Sequence, residues 1–208
     1  MSSEFDTAHG PGFFLHIPRT GGTWTERVLE AAGLNPRHVS PAGISRHGRA
    51  ADYELGQYRR VFTIVRAPRA LYASTYAFLK MHEWRVWEPG TYHPWRELER
   101  FAGLPFDEWV AKVSCSSPRG YFSKITAEAL GPAWPPILRV FRTENLAEDL
   151  YWFLTDCGVE PSRAWAAISG TLKCNSSAWG GAWRADTAAL IDSREKWILR
   201  TFYGGINT

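Results

Sequence analysis

Lysine is scarce in this chain, with five against nineteen arginines among 208 residues, a skew that genome composition alone would produce. Other shortages exclude more. The three cysteines, Cys115, Cys157 and Cys174, lack metal-ligand spacing and leave one over if two pair. That excludes a zinc knot or a disulfide framework and fits free thiols in a reducing cytoplasm. No stretch approaches the roughly twenty apolar residues of a membrane helix, and the polar, acidic residues 1–12 contain no hydrophobic signal core. A formal charge of only +3 gives no electrostatic argument for nucleic acid or an anionic membrane. There is no internal repeat and no low-complexity tract. What remains is 45% apolar content over 208 residues, enough for one substantial core. A single domain over 1–208 is expected, with 1–11 as a flexible lead-in.

The segment richest in chemistry is His16-Ile17-Pro18-Arg19-Thr20-Gly21-Gly22-Thr23-Trp24. Phe13-Phe14-Leu15 before it reads as a buried parallel strand, and Trp24, Val28, Leu29 and Ala32 after it fall on one helix face. A helix opening at two glycines directs its first backbone N–H groups, and the positive end of its dipole, at whatever occupies the turn. Phosphate or sulfate suits that position. A nucleoside triphosphatase loop would require lysine and then serine or threonine directly after the last glycine. Thr23 and Trp24 stand there instead, and the turn's one cation, Arg19, precedes the glycines.

A second anion motif follows. Val61-Phe62-Thr63-Ile64-Val65 is a continuous strand-like run, Arg66 ends it, and Pro68 opens a helical stretch carrying Ser74. An arginine at a strand end presents two donors to one phosphate, and the next helix returns a hydroxyl.

Both motifs resemble those of sulfotransferases that use 3′-phosphoadenosine 5′-phosphosulfate (PAPS). In many carbohydrate-acting members the 5′-phosphosulfate loop reads Ile-Pro-Lys-Thr-Gly-Gly-Thr, which matches residues 17–23 with Arg19 in place of lysine. The family's 3′-phosphate motif is a strand-end arginine with a serine eight residues later, as in Arg66 and Ser74. Val140-Phe141-Arg142-Thr143-Glu144-Asn145-Leu146 looks like the family's strand and Arg-x-Glu-x-Leu segment, with Asn145 able to cap the following helix. Asn175-Ser176-Ser177 resembles an Asn-x-Ser element near the nucleotide.

The resemblance implies an α/β fold of the P-loop-kinase-like sulfotransferase kind: a central parallel sheet flanked by helices, with both arginines at the carboxyl ends of its strands. It also implies transfer of a sulfuryl group from PAPS to a hydroxyl or amine of a carbohydrate or small-molecule acceptor, with no metal. Arg19 would bridge the 5′-phosphate and the moving sulfonate, with backbone N–H groups of Thr20, Gly21, Gly22 and Thr23 around it. Trp24 either stacks near adenine or packs the helix. Golgi members carry a membrane anchor, so the chain is either a naturally soluble, prokaryotic-type enzyme, the favoured alternative, or a trimmed domain. A kinase of related fold and a noncatalytic nucleotide- or polyanion-binding protein are the rival readings.

The acceptor needs a base. His47, in Ser45-Arg46-His47-Gly48-Arg49-Ala50, is preferred, because relatives place a basic-His pair between the phosphate motifs and an imidazole accepts protons near neutral pH. Glu54 and Asp52 compete with it. His38 has no motif behind it, and His16 is expected to fill space or bind backbone. His82 and His93 flank an irregular insertion at 83–105 that carries Trp84, Trp87, Tyr92 and Trp95, of which Trp84, Trp87 and Trp95 are expected to be exposed toward the acceptor. Strands are expected at 12–17, 37–45 (or a turn), 61–65 and 137–141. Helices are expected at 22–32, 68–82, 106–113, 119–130, 145–157, 161–168 and 187–203, with helix or loop at 49–58.

Overall fold

A computed structural model describes residues 2–40, 47–84, 95–131, 138–172 and 183–204. The chain runs β1 (Ser3–Thr7), β2 (Gly10–Leu15), α1 (Gly22–Ala31), β3 (Arg37–His38), and short 3-10 turns at Ala50–Asp52 and Leu55–Gln57. It continues through β4 (Arg60–Val65), α2 (Pro68–Met81), a 3-10 segment Arg96–Phe101, α3 (Phe106–Ser114) and α4 (Tyr121–Leu130). The remainder is β5 (Leu138–Arg142), a 3-10 turn Thr143–Asn145, α5 (Leu146–Asp156), α6 (Pro161–Gly170), α7 (Ala185–Arg194) and α8 (Lys196–Phe202). Two compact units result, residues 1–65 with 129–175, and residues 66–128 with 176–208.

The first unit holds the whole sheet, in the order β3-β1-β2-β4-β5. β2, β4 and β5 are parallel, as the alternation of strands with helices leads one to expect, but β1 is antiparallel to both β2 and β3. The sheet is therefore mixed rather than parallel throughout. The polar stretch 1–12 supplies the extra strand because a strand with one buried face needs few apolar residues. Phe5 is that residue, with no exposed surface, and Ser3 is equally buried. Thr7 closes the hairpin, its hydroxyl donating to the Gly10 carbonyl and accepting from the His9 N–H.

The parity of the strand register puts Phe5, Phe14, Phe62 and Phe141 on one face. There they meet Val28 and Leu29 of α1, Leu150 and Phe153 of α5, and Ala164 of α6. Phe14 and Phe62 stack at 4.7 Å, and Phe62 lies 4.6 Å from Phe153. Each such ring contributes about 1.5–3 kcal/mol by burial. On the other face Phe13 packs against Tyr53 and Tyr58, both at 4.8 Å, which anchors the 50–58 segment to the sheet.

The second unit is helical. Trp109 of α3 is fully buried among Tyr72 and Tyr76 of α2. Trp95 is only 2% exposed and Trp84 packs half-buried on Tyr76, so the expectation that these two rings face solvent is overturned: the aromatic surface offered by α2 and α3 takes them into the core. Trp87, Tyr92 and His93 lie outside the described residues. The single terminal helix expected at 187–203 is broken at Glu195. Its buried carboxylate accepts from the Tyr72 hydroxyl at 2.7 Å and from the N–H groups of Phe122 (3.1 Å) and Ser123 (2.7 Å), so it caps α4 from a distance in sequence. Burial raises its pKa. No helix among the described residues is long and apolar enough to cross a membrane.

Candidate anion-binding site

β2 ends at Leu15, whose carbonyl accepts from the Thr63 hydroxyl of β4 at 2.7 Å. The chain then turns through residues 16–21 into α1. Ile17 and Pro18 are buried, and the Thr20 hydroxyl closes the turn on the Ile17 carbonyl at 2.7 Å. Arg19 sits at φ 65° and Gly21 at φ 105°. The left-handed region costs a residue with a Cβ about 1–2 kcal/mol, so Gly21 suits its position while Arg19 holds a strained one at the apex.

α1 begins at Gly22 with no side-chain cap and no acidic residue in its first turn. Its first N–H groups have no partner within the helix, and no carboxylate there offsets the positive end of the dipole. Backbone donors, a strained arginine and an uncapped helix fit an oxyanion.

The turn is braced from β5. Thr143, one residue beyond that strand, shares its hydroxyl proton between the Thr20 carbonyl (2.8 Å) and the Val65 carbonyl (3.0 Å). This ties the turn to the carboxyl end of β4. Leu146 of α5 closes over Gly21, 3.0 Å from where a Cβ would stand. Asn145 occupies the N-cap position of α5 but makes no side-chain cap, contrary to expectation; the Asp149 carboxylate instead accepts from the Arg142 N–H. Trp24 is 7% exposed and donates its indole N–H to the Thr171 carbonyl at 3.0 Å, which is the packing alternative.

His16 fills space against the turn, as expected. Its imidazole stacks on Phe14 at 5.5 Å and lies over Gly22 so closely that a Cβ there would stand 2.1 Å from Nε2. His47 meets it edge to face, ring centroids 5.0 Å apart. Burial pushes the His16 pKa well below 6.5, and the positive charge of nearby Arg19 adds to the effect, so the ring is neutral at neutral pH. Its place between a buried strand and the glycines signals the space-filling role.

Of the three candidate bases, His47 is thus the one in ring contact with the turn. Asp52 is engaged by Arg49, accepting from its backbone N–H at 2.6 Å and pairing with its guanidinium at 3.2 Å. Glu54 is exposed. His38, on β3, faces Glu26 at 3.5 Å, and His82 lies against Phe78 at the end of α2.

The second motif has the expected local form. Arg66 follows the last residue of β4, Pro68 is the first residue of α2, and Ser74 is buried on its second turn. Ser45 and Arg46, Cys174, and Asn175-Ser176-Ser177 lie outside the described residues. No group of three or more His, Cys, Asp or Glu that could hold a metal ion occurs among the described residues. No protein-family model matches the chain, and no curated protein matches it.

Proposed function

We propose that this chain is a PAPS-dependent sulfotransferase. The observation that carries the reading is the β2–α1 turn: an uncapped helix N-terminus behind a strained Arg19, with the imidazole of His47 packed against it through His16. An anionic donor needs the first feature and an acceptor hydroxyl needs the second.

The turn takes the 5′-phosphosulfate, with Arg19 and the N–H groups of residues 20–23 around the oxygens that gain charge. Arg66 and Ser74 take the 3′-phosphate. The acceptor oxygen attacks sulfur in line, the bond from sulfur to the 5′-phosphate oxygen breaks, and adenosine 3′,5′-bisphosphate leaves. The acceptor proton passes to a ring nitrogen of His47. As in phosphoryl transfer, the protein contributes mainly positioning and charge stabilisation. Arg19 supplies charge rather than a proton, since a guanidinium pKa exceeds about 12.

The acceptor is a hydroxyl-bearing carbohydrate or small molecule, and that choice rests on the motif alone now that Trp84 and Trp95 are engaged in packing. Calorimetric titration with adenosine 3′,5′-bisphosphate and with ATP tests the donor. Preference for the bisphosphate, followed by sulfate transfer from PAPS in an acceptor screen, is the expected result. Preference for ATP would move the reading to a kinase, and bisphosphate binding without transfer to a noncatalytic nucleotide-binding protein.

A further inference from the structure

Two imidazoles in contact at the mouth of one turn invite the question of what each does. His47 is the proposed base, whereas His16 is pinned on several sides. The Phe14 ring lies against it at 30° between planes, the absence of a side chain at Gly22 leaves room for it, and its backbone N–H donates to Ser2 Oγ at 3.3 Å. A ring so held has little freedom to rotate, and the ring packed edge to face against it inherits part of that restraint. A base misplaced by about 1 Å loses on the order of 10²-fold in rate.

We infer that His16 is the positioning residue of this site: clamped by Phe14 and the notch at Gly22, it fixes the orientation of His47 toward the acceptor. This rests on the sulfotransferase reading and adds to it a division of labour between the two histidines. The groups around His16 are His47 from the segment before the first 3-10 turn, Arg19 on its own turn and His38 on β3. Glu26 of α1 is held by the Ser3 hydroxyl at 2.8 Å and faces His38. Burial keeps His16 neutral, so the proton released by the acceptor resides on His47.

The test compares His16→Ala, His16→Phe and Phe14→Leu with wild type in PAPS-dependent transfer, with adenosine 3′,5′-bisphosphate titration reporting an intact fold and turn. The expected result is a fall in kcat of about 10–100-fold for His16→Ala with donor affinity within threefold. His16→Phe should recover most of that loss, because it restores a planar ring, while the acid limb of the kcat profile moves as the neighbour of His47 changes. Phe14→Leu should lower kcat about threefold to tenfold by loosening the clamp. If His16→Ala or, should that variant not fold, Phe14→Leu binds the bisphosphate and turns over at the wild-type rate with an unmoved acid limb, the positioning role is overturned. In that event a dead His47→Ala variant would leave the sulfotransferase reading standing, whereas wild type that neither binds the bisphosphate nor transfers sulfate removes the reading itself.

Discussion

The two units of this molecule invest their polar groups differently. In the sheet-bearing unit, the polar atoms cluster where strands end: Thr20, Thr63 and Thr143 fasten carbonyls around the turn, and Arg19 holds a strained conformation at its apex. In the helical unit, a fully buried carboxylate, Glu195, serves architecture, joining α2, α4 and the α7–α8 break. Burial by itself is thus a poor guide to function. His16 and Glu195 both have pKa values displaced by desolvation, yet one borders an open helix end and the other closes one.

The sharpest way to break this contrast is Arg19→Ala. Turnover from PAPS should fall by about 10³-fold or more while Arg19→Lys keeps much of it, since only the lost charge matters. Full activity in the alanine variant, read by transfer of labelled sulfate, would end the proposed role.

Next is Glu195→Ala, which strands the Tyr72 hydroxyl and two α4 N–H groups and should cost about 2–4 kcal/mol in chemical denaturation. Bisphosphate affinity measured well below the melting range should stay unchanged if the carboxylate is purely architectural. Arg66→Ala or Ser74→Ala should weaken adenosine 3′,5′-bisphosphate about tenfold to hundredfold and adenosine 5′-phosphosulfate far less. Equal losses for the two ligands would remove the 3′-phosphate assignment.

A smaller effect sharpens the role of Glu195. Because burial raises its folded-state pKa, the proton is bound more tightly in the folded chain. The stability this adds is complete below the ordinary glutamate value of about 4.3 and is lost as pH rises through the raised one. The Tm of wild type minus that of Glu195→Gln should therefore decline from pH 4 to pH 7, and a flat difference would contradict it. Smallest of all, Asp52→Asn should change turnover less than about threefold, since its carboxylate holds Arg49 in a local turn. A hundredfold loss would make Asp52 the base in place of His47.

Much of this was legible beforehand where the signal is local. Continuous apolar runs gave β2 and β4, and the family resemblance gave β5; Pro68 marked the start of α2; and the two glycines marked the start of α1, because backbone sterics and strand periodicity act over a few residues. β1 was not legible, since Ser3 to Thr7 contains one apolar residue and is a strand only through its partners. Nor was the helix break at Glu195, where helical periodicity runs on but a distant tyrosine and two amide groups draw the carboxylate inward. The aromatic residues Trp84 and Trp95 lack periodicity and read as exposed; Tyr76, Phe78 and Trp109, on the neighbouring helices, bury them or hold them half-covered.

By itself, then, the sequence determined the order of the two candidate anion-binding motifs and the strands and helices that carry them, because those depend on neighbours within a turn or two. Only the tertiary structure decided that His16 fills the notch at Gly22, that His47 meets it, that Thr143 braces the turn and that β1 makes the sheet mixed. The His16–His47 and Thr20–Thr143 contacts join segments far apart in the chain, and in all four cases the energy that selects the arrangement comes from packing and desolvation, which no local pattern records.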